Sequence, residues 1–416
     1  MQERQRTDSS DRTGFSPRRF RDLSIGSHVV VLFCMLLNVY ATWHFYSPLL
    51  DNGWGDFDDD TWRRDARRRD TLAEILDPLL TTGHEAMDTS YVPVQSFIYH
   101  LSVNVIGQEA WPIRVLGIWV HLLNSILVLV LAFRFTGSVP GAHVASVAFL
   151  IYPRNAAAVA WLCASLAHGL VLALYLGAFL LMQTFLHQRE GRWRRGWWRW
   201  ALALVLFVLA VTTKELSATL FAAVLVYDVL VVTGLRALWT PWRRWREWSG
   251  VVARHGAFAA VVAGAVFVQS VKYDTGFVAT KFGGMEFGLR NPLRLLELAS
   301  LYFFRGSAWS AESQLWAMAA VYAALAAGIW LTRRSPPLLF LVLWAPIVLT
   351  PFTISNFRDV HGLGRYLYEC TAVVCVLLAA TATRIGGRWP VLRWPALVTL
   401  VALLYTWAAA VDRSLH

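Results

Sequence analysis

The sequence predicts an all-α, polytopic membrane protein with about eleven transmembrane helices. Three observations lead there. Apolar runs of about 17–25 residues recur from Val29 to Val411, the length that crosses a hydrocarbon core of about 30 Å. The runs are continuous rather than alternating, so each segment must satisfy its own backbone, as a helix does. Tryptophan and arginine crowd the segment ends: Trp193, Trp197, Trp198 and Trp200, then Trp239, Trp242, Trp245 and Trp248, interleave with arginines in the manner of interfacial belts.

Residues 1–27 form a basic tail that the positive-inside rule puts in the cytoplasm, with Arg18, Arg19 and Arg21 next to the first apolar run. That run, 28–50, is too long for a signal-peptide core and lacks a small-x-small cleavage site, so it is expected to stay as the first helix. The membrane domain is expected over 28–411, with external loops at 51–111 and 272–309 and a short external tail at 412–416. Interfacial helices are expected at 93–107 and 293–309. Helix two covers about 112–133, a short helix three about 140–152 and helix four about 159–186. Helix five reaches Lys214 and Glu215 outside, helix six ends inside near Asp228, and helix seven exits near Lys272. Helix eight returns to Arg333 and Arg334, helix nine exits near Pro351, helix ten begins near Arg365, and helix eleven ends outside at Asp412.

The net charge of +11 sits mostly in short loops of this threading, where it sets orientation, so nucleic acid is not an expected partner. The basic clusters 189–199 and 236–254 fall inside. The first external loop is the exception, its arginines 63, 64, 67, 68 and 69 being balanced by nearby acids. The four cysteines, Cys34, Cys163, Cys370 and Cys375, all lie in apolar runs and suggest neither a disulfide framework nor a CxxC metal site.

Four segments carry candidate chemistry, and all fall on the external side. Asp56, Asp58, Asp59 and Asp60 place four carboxylates in five residues just after helix one. Their mutual repulsion raises some of their pKa values unless a cation offsets it. Such a cluster suits a general base or a divalent ion, and equally a solvated acidic turn neutralised by the arginines that follow. Ser90-Tyr91-Val92-Pro93 closes the same loop and reads as a turn before an interfacial helix. Lys214 and Glu215 stand between two apolar runs, as an interfacial ion pair or as a cation for a lipid phosphate. His361 opens a segment ending in Arg365-Tyr366-Leu367-Tyr368-Glu369, whose arginine offers a two-pronged donor for phosphate and whose tyrosines offer hydroxyls and rings for a sugar. His100, His121 and His168 lie on apolar faces and are expected to be packed or hydrogen-bonded rather than ligands.

On these residues the chain resembles the GT-C superfamily of polytopic glycosyltransferases that use polyprenyl-phosphate-linked sugars. It looks most like the branch related to transmembrane O-mannosyltransferases, without their tetratricopeptide repeats. The resemblance runs over about 30–380. Asp58-Asp59 matches the acidic pair of the first external loop, and Tyr91-Val92-Pro93-Val94 looks like Tyr-Arg-Pro-Leu. His121-Leu122-Leu123-Asn124 resembles a helix carrying His and Asn, and Val159-Ala160-Trp161 looks like Val-Ala-Trp. Lys214-Glu215 matches Ser-Lys-Glu, Tyr227-Asp228 matches Tyr-Asp, and Arg365-Tyr366-Leu367-Tyr368 matches Arg-Tyr-Leu-Tyr. The chain departs at Val92, where the family carries arginine, and at Tyr152, Asn155 and Ala157, where it often carries His, His and Glu.

The resemblance implies an inverting sugar transfer from a polyprenyl-phosphate donor to a hydroxyl of a glycan, lipid or protein, at the periplasmic or luminal face of a membrane, with a bacterial inner membrane expected. Asp58 or Asp59 would act as catalytic carboxylate, supported by Asp56 and Asp60. Arg365, Tyr366, Tyr368, Lys214 and Glu215 would bind donor phosphate and sugar, and Tyr91 and His361 would position acceptor or loop. A divalent metal, Mg or Mn, on Asp58 and Asp59 is left open, since four acids suit one and an arginine-rich site works without. Two other readings stay open: a non-catalytic scaffold, suggested by Val92 and Ala157, and a transporter of lipid-linked substrates, which lacks support from paired halves.

Overall fold

The computed structural model describes residues 24–54, 58–67, 92–188, 193–234, 245–272, 332–354 and 367–388, with a few isolated positions beside them. Every regular element among these residues is helical. Helix α1 (Ile25–Tyr46) starts at Ser24, whose hydroxyl accepts from the Ser27 N–H at 3.3 Å, and runs into a 3-10 turn at Ser47–Asp51 opened by Pro48. Its Phe33, Leu36 and Tyr40 stay exposed, the pattern of a helix facing lipid. Helices α2 (Asp58–Arg67) and α3 (Pro93–Leu101) belong to the first loop. Pro93 opens α3 where a missing N–H is tolerated, and the chain winds on as a π turn, Ser102–Ile106.

Helix α4 (Ala110–Thr136) ends at Gly137, whose φ of +63° is a left-handed geometry that a Cβ would disfavour. Ser138 then caps α5 (Val139–Leu150) by accepting from the Gly141 N–H at 3.2 Å, so a two-residue link makes α4 and α5 antiparallel neighbours. At twelve residues α5 is about 18 Å long, short of a bilayer. It stops because Pro153, which opens α6 (Pro153–Ala160), disfavours helical geometry in the residue before it. The carbonyl of Leu150 left over at this break accepts from the Tyr46 hydroxyl at 2.8 Å and from His121 Nε2 at 3.2 Å. Asn155 donates to the Phe149 carbonyl at 2.7 Å, so one of the positions departing from the family pattern ties the same break together.

Helix α7 (Leu162–Leu186) follows after Trp161, and α8 (Trp193–Thr213) ends at an extended Lys214. A 3-10 turn, Glu215–Ala218, leads into α9 (Thr219–Tyr227), which continues as a π turn through Asp228–Gly234. Helices α10 (Trp245–Lys272), α11 (Pro336–Ile354) and α12 (Tyr368–Arg388) complete the described elements. Seven stretches are long and apolar enough to cross a membrane, and Val139–Leu150 and Pro336–Pro351 are shorter apolar helices. In chain order they correspond to nine of the expected spans. The eighth and eleventh spans, the 272–309 loop and most of the two tails lie outside the described residues. Two boundaries differ from expectation. The fourth span starts at Leu162 because Pro153–Ala160 is a separate helix, and the sixth passes Asp228 to reach Gly234.

The core lies where α4, α5, α7, α8, α9, α11 and α12 converge, with Phe179 and Phe340 stacked at its centre and Trp344 tilted against both. Small residues bring α4 and α7 close. A Cβ on Gly117 would stand 2.6 Å from Ser165 Oγ and 3.0 Å from its Cβ, and one on Gly169 would stand 2.8 Å from Val120 Cγ1. At the bundle end away from α2, a buried network holds α9 against α10. Asp228 accepts from Arg254 Nε at 2.9 Å, from His255 Nε2 at 2.9 Å and from Thr233 at 3.1 Å. Near it Gln183 and His187 reach the Tyr227 hydroxyl at 3.0 and 2.7 Å.

Candidate active site at the first-loop end of the bundle

Asp59 is the one side chain of the acidic run whose placement the structure describes, and it is 1% exposed. Trp161 is extended between α6 and α7, which leaves the first N–H groups of α7 without helical partners. Asp59 satisfies two of them: Oδ1 accepts from Cys163 N–H at 2.8 Å and Oδ2 from Leu162 N–H at 3.3 Å. A carboxylate at a helix start is also favoured by the macrodipole. Burial pushes its pKa up, and the two N–H bonds and the Arg114 guanidinium pull less strongly the other way. Asp59 in turn raises the buried Tyr99 phenol, which burial alone already holds high.

Arg114 binds the loop from the opposite side. It donates to the carbonyls of Asn52, Gly53 and Ala160, the first at 2.9 Å and the last at 2.8 Å. Asp59 thus ties α2 to the start of α7, while Arg114 ties the segment after α1 to the break before α7. Trp54 adds a ring under Arg63 at 5.1 Å and an indole N–H to the Gln108 carbonyl at 3.0 Å.

About one and a half turns further along α7 stands His168, roughly 8 Å on by the helix rise. It is 1% exposed and joins two other elements. Lys214 Nζ donates to His168 Nε2 at 3.0 Å, and His168 Nδ1 donates to Glu369 Oε1 at 2.9 Å. These partners fix the tautomer: an ammonium only donates and a carboxylate only accepts, so the ring proton sits on Nδ1. The neighbouring residue Tyr368 is also turned inward. Its hydroxyl bonds to His121 Nδ1 at 2.6 Å and accepts from Asn124 at 3.3 Å, while Asn124 also donates to the Gly169 carbonyl at 2.8 Å. Since His121 Nε2 donates to the Leu150 carbonyl, its Nδ1 takes the tyrosine proton.

The start of α7 therefore gathers Asp59, Lys214, Tyr368 and Glu369 from segments far apart in the chain. Glu215 opens the 3-10 turn beside Lys214. Asp58 and Asp60 lie on α2, whose backbone alone is described at those positions, and Asp56, Tyr91, His361, Arg365 and Tyr366 lie outside the described residues. Sequence reasoning passed over three contributors. His168 and His121 were expected to be packed or hydrogen-bonded, and they are, but between functional candidates rather than in plain apolar surroundings. Glu369 enters the sequence reading only as the end of the arginine–tyrosine segment, although a carboxylate opening an apolar run is a signal in itself. Among the described residues no three His, Cys, Asp or Glu side chains converge as a metal ligand set. Both oxygens of Asp59 already accept N–H bonds, with which a metal ion on this residue would have to compete.

No family model and no curated protein matches the chain. Two solved structures do. One is ArnT from Cupriavidus metallidurans bound to undecaprenyl phosphate, at 16% identity and a TM-score of 0.54 over 92% of this chain and 64% of that one. The other is the same protein in its apo state, at 17% identity and a TM-score of 0.52 over 86% of this chain and 60% of that one. The chain spans under two thirds of the length of the ArnT chains it matches. The likeness is one of fold: the chain shares the polytopic, all-helical arrangement of these ArnT chains.

Proposed function

We propose that the chain is a membrane glycosyltransferase that moves a sugar from a polyprenyl-phosphate donor to an acceptor hydroxyl of a glycan, lipid or protein. The observation that carries this reading is the gathering of Lys214, Glu369 and Asp59 at one end of α7, in a fold that in ArnT is seen with undecaprenyl phosphate bound. A cation held between buried polar partners at the end of apolar helices suits a lipid phosphate, whose tail lies among the helices. The arginines described at the other end, among them Arg254 and Arg384, agree with that end facing the cytoplasm and the site facing the periplasm or lumen of an inner-membrane-type bilayer.

In this reaction the acceptor oxygen attacks the anomeric carbon, the bond from that carbon to the phosphate oxygen breaks, and the polyprenyl phosphate leaves as an anion. A carboxylate of the first loop, Asp58 or Asp59, takes the acceptor proton, with Asp56 and Asp60 adding to the local negative potential. Lys214 and Arg365 hold the charge that grows on the phosphate. Tyr366 and Glu215 are assigned to donor binding and Tyr91 and His361 to positioning the acceptor or loop, while Tyr368 holds the start of α12 in place through its inward bonds. Phosphate is a good leaving group, so positioning and charge stabilisation supply most of the rate.

The test is sugar transfer from a polyprenyl-phosphate donor by the purified full chain and by Asp58→Asn and Asp59→Asn variants that remain folded. Loss of turnover in at least one variant is expected, and unchanged turnover in both rejects the carboxylate's role. A scaffold without catalysis is the second reading, favoured by Val92, buried at the start of α3 where the resembled family carries arginine. Copurification with a fixed partner, and no transfer by the wild type, would support it.

A further inference from the structure

We propose that His168 and Glu369 form a positioning pair for Lys214, holding its ammonium at the place where the donor phosphate binds; the inference rests on the phosphate reading above. Three elements meet here. Lys214 is in the extended link between α8 and the following turn, His168 is on α7, and Glu369 is at the start of α12. A lysine on such a link has four rotatable bonds and no helix to restrain it, so an unheld ammonium would sample many positions. The bond from Lys214 Nζ to His168 Nε2 at 3.0 Å removes that freedom. It requires a lone pair on Nε2, and the bond from Nδ1 to Glu369 Oε1 at 2.9 Å secures the tautomer that has one.

The pair is costly as mere packing. Glu369 is 2% exposed, and among the described residues its second oxygen, Oε2, has no hydrogen-bond partner. A buried carboxylate with an open oxygen destabilises a helix bundle compared with an apolar side chain of similar size. The surroundings also restrain the pair. Gly169 leaves room for Val120 and Asn124 beside His168, and the Tyr368 hydroxyl pins the residue before Glu369 to His121. Imidazole and carboxylate are thus held in place from two other helices, and the ammonium is aimed by them.

The experiment titrates undecaprenyl phosphate into the full chain in detergent, for the wild type, Lys214→Ala, His168→Phe, the double variant and His168→Gln. The first two single variants should weaken binding about tenfold, the loss of one well-placed charge-assisted contact. Because His168 acts through Lys214, the double variant should bind no more weakly than Lys214→Ala alone. Glutamine can accept from Lys214 through its carbonyl and donate to Glu369 through its amide, so His168→Gln should stay within about threefold of the wild type. If His168→Phe does not elute as a monodisperse species, Glu369→Leu, which removes the acceptor of the Nδ1 proton, is carried through the same cycle with Lys214→Ala. Wild-type binding that His168→Phe or Glu369→Leu leaves unchanged, or losses that add fully to that of Lys214→Ala, would overturn the positioning role alone. Absence of wild-type binding would instead remove the phosphate reading on which it stands.

Discussion

Replacing Asp59 by alanine should loosen the first-loop end of the bundle while leaving the far end intact. The carboxylate satisfies the N–H groups of Leu162 and Cys163, both buried. Loss of a helix cap costs about 1 kcal/mol, and leaving a buried N–H unsatisfied costs roughly 1–3 kcal/mol. Arg114 keeps its three carbonyl acceptors and loses only the nearby negative charge. The two costs are measures of one loss, which comes to about 1–3 kcal/mol, enough to lower the melting temperature by several degrees. Asparagine retains an oxygen acceptor and is itself a good cap, so Asp59→Asn should cost about 1 kcal/mol. Thermal unfolding of the full chain in detergent measures both, followed by intrinsic tryptophan fluorescence. Hydrogen exchange at residues 162–165 shows whether the loss is local. An alanine variant that melts within a degree of the wild type, with the start of α7 still protected, would refute the capping argument.

Three further outcomes follow from the same structure. Burial holds the Asp59 carboxyl above its ordinary value of 3.8, so the folded protein binds this proton more readily than the unfolded chain does. Stability from this group is fully present below that value and is lost as pH rises through the folded one; the melting gap between wild type and Asp59→Asn should widen on acidification from pH 7 towards about 4, and a gap that stays flat or narrows contradicts this. Asp228→Leu leaves Arg254 and His255 without their buried counter-charge, and should cost about 3–5 kcal/mol, seen as loss of monodisperse protein or a much lower melting temperature. Gly117→Ala drives a Cβ to within 3.0 Å of Ser165 Cβ, so it should cost roughly 1–3 kcal/mol by prising α4 from α7, with partial rescue by Ser165→Gly; unchanged melting would show that the helices separate freely.

The spans were legible because hydropathy is a local property. Continuous apolar runs between Arg-rich and Trp-rich ends placed nine spans in the right order, including the short third one, and the Pro93 turn signal placed a further helix beside them. Boundaries slipped where a local break interrupts an apolar run. Val159-Ala160-Trp161 reads as a helix start, yet Trp161 is extended because Asp59, more than a hundred residues earlier, takes over the capping of α7. Site partners were harder still. His168 meets Glu369 across 201 residues and His121 meets Tyr368 across 247. Neither pairing leaves a trace in periodicity, and a histidine inside an apolar run looks the same whether its partner is a carbonyl or a functional carboxylate. Lys214 and Asp59 could be picked out as charges at helix ends, but their geometry could not.

The most direct measurement for the whole account is native mass spectrometry of the protein extracted from its own membrane. A bound polyprenyl phosphate, or its sugar-linked form, is expected on the wild type and should be depleted in Lys214→Ala and Arg365→Ala variants that elute as folded protein. Wild-type protein carrying no such lipid, or variants carrying it undiminished, would contradict the claim that these residues surround a lipid phosphate.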